Sequence, residues 1–248
     1  MGKSFFISDV HLGAEPFDKE IGKRTKLARF FKNILDDDTE NLFILGDFFD
    51  FWFDYRKTIF REYFDILCRL QEIVRMGVKI HFFGGNHDWW MFEDGFFARE
   101  LDAKIYHKPT AVEIHSKKFF IGHGDGIAPS DWGYRNLLAP ILRNPISIFL
   151  FRLIPSEWAR SISKRVSSTS KLYTQERNPH FELEYEEFAR KKIADGIDYV
   201  IFGHLHLPTL KKIDGGIYAN SGDFYQNFTY IVFDGENLEL KHFKISDS

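Results

Sequence analysis

Five short clusters of Asp, Asn and His follow apolar stretches of the chain. They are Asp9-Val10-His11, Gly46-Asp47, Gly84-Gly85-Asn86-His87-Asp88, Gly122-His123-Gly124-Asp125 and Gly203-His204-Leu205-His206. Carboxylate and amide oxygens suit hard divalent ions, whereas imidazole suits Mn, Fe, Co or Zn. A set that mixes oxygen and imidazole donors therefore predicts a transition-metal site, with Mn²⁺ as the first choice.

The spacing within the clusters predicts how the donors share two ions. Asp9 and His11 are two residues apart at the end of a predicted strand. Side chains at i and i+2 of an extended segment point the same way, so both can reach one ion. His204 and His206 repeat this spacing. Asp47 follows a predicted strand and a glycine, where a central aspartate can bridge two ions.

Asn86 and His123 would complete the coordination of the second ion. In open α/β sheets, ligands gather beyond the carboxyl ends of the strands, and every cluster is predicted to lie at such an end. Two ions about 3.5–4 Å apart hold the attacking and leaving oxygens of an in-line displacement and generate hydroxide near neutral pH. The clusters together predict hydrolysis of a phosphate ester without a nucleophilic side chain.

The elements that must position these clusters alternate between strand and helix patterns in the first third of the chain. The predicted order is strand Ser4–Ser8, helix Lys19–Leu35, strand Asn41–Leu45, helix Thr58–Met76 and strand Val78–Phe83. Later segments predict a hairpin turning at 116–118, a helix Glu182–Ala194, a strand Tyr199–Phe202 and two antiparallel pairs turning at 214–216 and 234–235. This order predicts an α/β fold with parallel neighbours and a largely antiparallel C-terminal part.

Residues 128–179, here called the insertion segment, do not follow the strand–helix rhythm. Leu, Ile, Phe and Trp alternate there with Arg and Lys, and Pro140, Pro145 and Pro155 divide the segment into short predicted helices. Because it lies between the fourth and fifth clusters, its ends must be close to the metal site. We predict one domain over residues 1–248, with the insertion segment as a helical cap over the active site. A small helical subdomain packed on itself is the alternative.

The composition excludes several classes of protein. The 248 residues are 44% apolar, and their formal net charge is −3, which argues against a nucleic-acid partner. Cys68 is the single cysteine, so a reducing cytoplasm is the expected setting. The N-terminus has no signal-peptide pattern, and the longest apolar run is far short of a membrane span.

With all five clusters present, the chain resembles the calcineurin-like metallophosphoesterases over essentially its whole length. The resemblance implies a four-layer αββα sandwich. It implies one ion held by Asp9, His11, Asp47 and His206, and a second held by Asp47, Asn86, His123 and His204. It also implies catalytic roles for Asn86, His87 and Asp88: His87 beside the scissile phosphate as general acid or charge clamp, and Asp88 orienting it. The resemblance further implies that Asp50 contacts the site residues without itself binding a metal ion.

Three features look like the UDP-2,3-diacylglucosamine pyrophosphatases of lipid A synthesis. These are the opening 6–13, the sequence Gly-Asp-Phe-Phe-Asp-Phe-Trp at 46–52, and the long insertion segment. The resemblance implies cleavage of UDP-2,3-diacylglucosamine at the α-phosphate, giving UMP and 2,3-diacylglucosamine 1-phosphate. It implies substrate contacts from Asn86, His87, Asp131, Tyr134, Ser168, Lys171, Gln175 and His204. It also implies a peripheral position on the cytoplasmic face of the inner membrane, which the basic residues of the insertion segment suit; the oligomeric state stays undetermined.

His87 departs from the pattern of that group, in which well-known members have arginine at this position. A phosphate leaving group needs little protonation, so a charged clamp serves it, whereas an alkoxide needs a proton donor such as histidine. A soluble metallophosphoesterase acting on a nucleotide or on another phosphodiester or phosphomonoester therefore remains the alternative. A scaffold without catalytic metal is disfavoured because no expected ligand is missing.

Overall fold

Eleven strands form two sheets in the part of the chain that the structure describes. The structure is a computed structural model and describes residues 2–35, 37–162 and 179–244. The strands are β1 Lys3–Ile7, β2 Thr39–Ile44, β3 Lys79–Phe83, β4 Lys104–Tyr106, β5 Thr110–Ile114, β6 Lys117–Ile121, β7 Tyr199–Phe202, β8 Thr209–Ile213, β9 Gly216–Asn220, β10 Thr229–Phe233 and β11 Leu238–His242. The helices are α1 Phe17–Leu35, α2 Phe64–Arg75, α3 Phe96–Glu100, α4 Ala139–Leu142, α5 Pro145–Arg152, α6 over 156–162 and α7 Pro179–Ala194.

The strand order places parallel strands at the centre of both sheets. The first sheet has the order β11-β10-β1-β2-β3-β4, in which β1 to β4 are parallel and β10 and β11 are antiparallel to their neighbours. The second has the order β5-β6-β7-β9-β8, in which β6, β7 and β9 are parallel. Central parallel strands are covered on both faces, which explains why β7 is an uninterrupted buried run.

The two sheets pack face to face, and helices cover both outer faces. Phe6 of β1 stacks on Phe43 of β2 at 4.7 Å and on Phe119 of β6 at 6.0 Å between ring centroids, which joins the sheets. One core forms between the first sheet and α1 to α3, and another forms between the second sheet and α7. These layers confirm the predicted αββα sandwich.

Several predicted boundaries differ from the structure. The predicted helical start at Thr58 is wrong, because regular helix begins at Phe64 after a 3₁₀ turn over Arg61–Tyr63. The first hairpin turns at His115 and Ser116, one residue earlier than predicted, with φ of 50° and 63°. Positive φ at both central residues is the geometry that matches the twist of paired strands. The five-residue α3 and the three-residue β4 were not predicted, because such short elements lack a readable period.

The insertion segment is helical over most of its described residues. Pro145 begins α5, where the Asn144 side chain accepts a hydrogen bond of 2.8 Å from the Ile146 N–H. Pro155 precedes α6. Pro140 was predicted to divide two helices, but it lies within one that passes from a π-helical turn over Tyr134–Leu138 into α4. Among the described residues, no helix combines the length and apolar character needed to cross a bilayer.

Candidate metal centre

The five clusters lie in the loops that follow β1, β2, β3, β6 and β7. The first three strands are parallel neighbours in one sheet, and the last two are parallel neighbours in the other. Parallel strands end at the same edge of a sheet, and the two edges meet because the sheets are packed face to face. The predicted convergence of the clusters is therefore a direct result of the topology.

One group of donors comes from the first and fifth clusters. The side chains of Asp9, His11 and His206 each offer a ligand atom within 4.8 Å of the others. Asp9 Oδ1 is 3.0 Å from His206 Nε2, and His11 Nε2 is 3.4 Å from His206 Nε2. Asp9 Oδ1 is buried and accepts no well-directed hydrogen bond from any described residue. A buried oxygen of this kind fits a cation.

The second group comes from the other half of the site. Asp47, His123 and His204 also lie within 4.8 Å of one another. His123 Nε2 is 3.2 Å from both His204 Nδ1 and Asn86 Oδ1. One carboxylate, one amide oxygen and two imidazoles are thus brought together at this point.

Asp47 lies between the two groups. Its Oδ2 is 3.7 Å from His11 Nε2 and 3.5 Å from His123 Nε2. Its Oδ1 accepts a hydrogen bond of 2.9 Å from the His87 backbone N–H, which fixes the orientation of the carboxylate. This position is the one required of an aspartate that bridges two ions.

The backbone at the donors is not extended, contrary to the geometry assumed from the i, i+2 spacing. Asp9, His11, Asp47, His204 and His206 all have φ between 46° and 67°, in the left-handed region. Asp9 and His11 converge because the chain turns sharply after β1, not because a strand continues through them. Left-handed backbone costs a non-glycine residue roughly 1–2 kcal/mol, so these loops store strain at the site.

Two glycines allow the loops to approach this closely. A Cβ on Gly46, which has φ of 86°, would lie 2.7 Å from both Gly85 N and His123 Nδ1. A Cβ on Gly203 would lie 2.7 Å from Asp9 Oδ2. Larger residues at either position would push donor side chains apart, because such separations are below van der Waals contact.

Hydrogen bonds from behind set which imidazole nitrogen faces the centre. His123 Nδ1 donates to the Leu45 carbonyl at 2.7 Å, which leaves Nε2 as the donor atom for a metal. His206 Nδ1 is 3.2 Å from the Tyr225 hydroxyl. The sequence reasoning did not find Tyr225, since its position depends on a loop after β9 that no motif marks.

The charges of the site compensate one another. Burial opposes ionisation of Asp9, but the charge and hydrogen bond of His206 and the charge of His123 together outweigh it and lower the pKa to about 2. Burial likewise opposes protonation of His123, but the charge and hydrogen bond of Asp47 and the charges of Asp9 and Asp125 together outweigh it and raise the pKa to about 10. Burial and the charge of His123 lower the pKa of His204 to about 4. The buried carboxylates therefore require positive charge, and divalent ions would supply it in exchange for the imidazole protons.

His87 and Asp88 have different surroundings from those the resemblance implied. His87 Nδ1 is 2.9 Å from the Asp50 carbonyl oxygen, and its Nε2 is 4.0 Å from Asp47 Oδ2. The Asp88 carboxylate instead accepts hydrogen bonds from the backbone N–H groups of Gly85, Asp47, Phe48 and Phe49. Asp50 thus contacts the His87 ring, while Asp88 ties the second and third loops together.

The insertion segment reaches the fourth cluster through a buried polar contact. The Tyr134 hydroxyl donates to Asp125 Oδ2 at 2.7 Å, and Arg143 donates to the same oxygen. Arg143 also lies 5.2 Å from the centre of the Trp89 ring. Burial opposes ionisation of Asp125, but the charges of Arg143, His123 and His204 and the hydrogen bond from Tyr134 together outweigh it and lower the pKa of the carboxyl. Arg143 and Asp125 were not predicted as partners.

The other predicted substrate contacts are placed only in part. Asp131 is half-buried, and its backbone N–H donates to the Ala128 carbonyl at 3.1 Å. His204 belongs to the metal centre described above. Ser168, Lys171 and Gln175 lie outside the described residues.

The fold and this donor set define a class, the metal-dependent hydrolases built on an αββα sandwich. A family model described as calcineurin-like phosphoesterase matches residues 3–208. The chain belongs to that family and is a metal-dependent hydrolase that uses divalent metal, as predicted.

Proteins with known names give a consistent comparison. A UDP-2,3-diacylglucosamine hydrolase from Porphyromonas gingivalis is 29% identical, with 96% of this chain and 97% of the relative covered. One of the same name from Pseudomonas entomophila is also 29% identical, with 97% and 98% covered. A solved structure of an archaeal phosphodiesterase is 16% identical, covers 96% of this chain and 98% of its own, and has a TM-score of 0.45. The likeness to the first two proteins therefore extends over nearly the full length of the chain.

Proposed function

We propose that this protein hydrolyses the pyrophosphate bond of UDP-2,3-diacylglucosamine. Water would attack the α-phosphorus, the bond to the bridging oxygen would break, and the products would be UMP and 2,3-diacylglucosamine 1-phosphate. The names of relatives that align over nearly the full length support this substrate. The observation that carries the proposal is the exposed apolar surface of the insertion segment beside a two-ion donor set.

That surface is unusual for a folded protein. Ten of the seventeen exposed large apolar side chains in the described residues belong to the insertion segment: Trp132, Leu137, Leu138, Ile141, Ile146, Phe149, Leu150, Leu153, Trp158 and Ile162. Scattered apolar residues are normal on a surface, but a concentration of them marks a binding site. We assign this surface to the acyl chains, which makes residues 128–179 a helical cap within a single domain over 1–248.

The residues of the centre have separable roles in this reaction. Asp9, His11, Asp47, Asn86, His123, His204 and His206 would hold two divalent ions, which supply Lewis acidity toward water and the phosphoryl oxygens. The His87 Nδ1–H is donated to the Asp50 carbonyl, so Nε2 faces Asp47 and the reacting phosphate. When protonated, His87 would bind phosphate oxygen through Nε2. Asp88 would keep the two loops in register, and Asn86 would contact both metal and phosphate.

Mn²⁺ is the proposed metal because the donor set mixes carboxylate, amide and imidazole. Activity after removal of metal and addition of Mn²⁺, Mg²⁺ or Zn²⁺ at equal concentration tests this assignment. The highest rate is expected with Mn²⁺, and a higher rate with Zn²⁺ would contradict it.

A peripheral position on the cytoplasmic face of the inner membrane would follow from the substrate. The exposed apolar residues alternate with Arg135 and Arg152, and each basic residue near anionic lipid contributes about 1 kcal/mol. In a flotation assay, the protein should bind vesicles of phosphatidylethanolamine with phosphatidylglycerol and rise with them. Added salt should weaken this binding. Equal flotation with neutral phosphatidylcholine would contradict an electrostatic contribution.

The decisive experiment compares UDP-2,3-diacylglucosamine with the same UDP-sugar lacking acyl chains. A triple variant with Ile146→Ser, Phe149→Ser and Leu153→Ser should raise the KM for the acylated substrate by about tenfold or more, since each buried methylene is worth about 0.8 kcal/mol. A control triple, Phe64→Ser, Met76→Ser and Leu183→Ser, changes side chains of matching exposure, 61–70% in both sets. Equal effects of the two triples, or no preference for acyl chains, would overturn the substrate assignment.

His87 supports a second candidate function. Its Nε2 lies 4.0 Å from Asp47 Oδ2, and an imidazole is suited to donate a proton to an alkoxide leaving group. Hydrolysis of a nucleotide or other phosphodiester or phosphomonoester by a soluble enzyme is therefore the alternative. Faster turnover of unacylated diesters than of UDP-2,3-diacylglucosamine would favour it.

A further inference from the structure

A surface groove lies beside the half of the metal centre formed by the first and fifth clusters. It has a volume of about 350 Å³, and it runs between α1 and the loop after β9. Its lining residues are Glu15, Lys19, Gly22, Lys23, Lys26, Tyr225, Gln226 and Phe228. None of them belongs to the predicted site, and none contributes to the acyl-binding surface.

Both walls of the groove touch proposed metal ligands. Lys23 Nζ donates to the His11 carbonyl at 2.6 Å, and the Tyr225 hydroxyl is 3.2 Å from His206 Nδ1. The groove therefore borders the half of the candidate centre formed by Asp9, His11 and His206, on the side of the His11 backbone and His206 Nδ1. In contrast, Tyr134 and Arg143 of the insertion segment contact Asp125, beside the other half of the centre.

The groove offers three kinds of recognition group. Lys19 and Lys26 carry positive charge, and Lys26 Nζ lies 3.5 Å from the centre of the Phe228 ring. The Glu15 carboxylate and the Gln226 amide can exchange hydrogen bonds with hydroxyl and carbonyl groups. Tyr225 adds a second ring. These groups match the three parts of a nucleoside monophosphate, which are an anionic phosphate, polar hydroxyls and a planar base. An acyl chain does not fit the groove, because it would remove water from the lysines and offer them no charged or polar partner.

The backbone at one wall is held in a conformation that aromatic residues rarely adopt. Phe228 has φ of 50°, and its carbonyl accepts a hydrogen bond of 2.7 Å from the Phe243 N–H. Such strain persists where the surrounding structure enforces it and is frequent at binding sites. The Phe228 ring is therefore positioned at the groove by the fold and not by local preference.

We infer that this groove is the subsite for the nucleoside monophosphate end of the substrate. The inference rests on the proposed function, because a UDP-linked lipid has two unlike arms on its pyrophosphate. The nucleoside is joined to the attacked phosphorus and would lie along α1, while the acylated sugar would leave toward the insertion segment. Charged and aromatic side chains would thus select the nucleotide on one side of the metal pair.

Gly22 makes a steric test possible. It lines the groove from within α1, and a Cβ built on it meets no atom within 4 Å. Gly22→Leu should therefore fill the groove without a clash, and leucine favours helix over glycine. Asn33→Leu is the matched control, since it adds the same side chain at an exposed position of the same helix, away from the groove.

The measurement is calorimetric titration of the Mn²⁺-loaded protein with UMP and, separately, with inorganic phosphate. Gly22→Leu should weaken UMP binding by about tenfold or more while phosphate, which needs only the metal pair, loses far less. Lys26→Ala should weaken UMP binding and the matched Lys32→Ala should not. Similar UMP affinity in Gly22→Leu and Asn33→Leu would overturn the subsite.

This test separates the subsite from the proposed reaction. If UMP binding depends on Gly22 but UDP-2,3-diacylglucosamine is not hydrolysed, the groove is a nucleotide site in an enzyme with another substrate. If the acylated substrate is hydrolysed and Gly22→Leu leaves its KM unchanged, the reaction stands and the subsite assignment fails. If both the UMP affinity and the KM for the UDP-lipid change together, the subsite and the reaction are supported jointly.

Discussion

At the scale of residues, the side-chain type and a few hydrogen bonds determine which atom each residue presents to the candidate metal centre. His123 presents Nε2 because Nδ1 donates to the Leu45 carbonyl, and Asp47 is oriented by the His87 N–H. Single substitutions at such positions change the chemistry more than the fold, because the loops are also held by contacts such as those of Asp88.

Asp47→Ala should reduce kcat by at least about 10³-fold, because it removes the oxygen placed between both ion positions and with it the paired-metal geometry. Metal content and hydrolysis should be measured together, with Asp195→Asn as the control, because Asp195 is exposed and lies just beyond the end of α7. Wild-type turnover by Asp47→Ala would be incompatible with a two-ion mechanism.

His87→Arg should keep cleavage of the pyrophosphate within about tenfold of wild type, because a phosphate leaving group needs a positive clamp more than a proton. The same variant should lose far more activity on a diester with an alkoxide leaving group. The ratio of the two rates is the measurement. Loss of pyrophosphate cleavage as complete as loss of diester cleavage would identify His87 as the required acid.

At the scale of elements, α1 supports the loop that contains Asp9 and His11. Lys23 is almost fully buried, donates to the His11 carbonyl and pairs with Glu20 at 2.9 Å. Glu20 in turn accepts from the Gly13 N–H at 2.9 Å. Burial opposes ionisation of Glu20, but the charge and hydrogen bond of Lys23, the Gly13 N–H and the charge of Arg24 together outweigh it and lower the pKa of the carboxyl. A helix with no catalytic residue thereby fixes the strained first loop.

Lys23→Met should destabilise the protein by about 1.5–3 kcal/mol, because it removes the ion pair with Glu20 and the hydrogen bond to the His11 carbonyl, while Arg24 stays paired with Glu20 at 3.1 Å. The exposed Lys32→Met in the same helix is the control. The double variant Glu20→Gln, Lys23→Met should recover part of the loss in the denaturation midpoint. If the double variant lost more stability than the two single variants lose together, the pairing of these two residues would not explain the effect.

At the scale of the whole molecule, the metal centre joins the two sheets. Asp9, Asp47 and Asn86 follow strands of the first sheet, whereas His123 and the fifth cluster follow strands of the second. Ions held by donors from both sheets would bind the folded state and not the unfolded chain. Metal binding should therefore be coupled to the stability of the whole sandwich.

Removal of metal with a chelator should lower Tm by roughly 5–10 °C. A ligand at 100 times its Kd adds about 2.7 kcal/mol to the free energy of unfolding, and in a domain of this size each kcal/mol shifts Tm by about 2–4 °C. Restoring Mn²⁺ should restore Tm, and Asp47→Ala should show a much smaller change in both directions. Thermal denaturation followed by circular dichroism measures this. An identical Tm with and without chelator would contradict coupling between the sheets and the ions.

The sequence by itself determined the donor types and their order, because each cluster directly follows an apolar strand and both signals are local. The αββα sandwich was implied by the family resemblance that these clusters support. The sequence also marked the insertion segment, because the alternation of strand and helix patterns stops there. Only the tertiary structure decided the left-handed backbone at Asp9 and His11, the contact of Arg143 with Asp125, and the support that Tyr225 gives His206. These features join elements far apart in the chain, and local periodicity contains no information about which side chains meet across the two sheets. The groove along α1 was also decided only by the tertiary structure, because it forms where that helix faces the loop after β9.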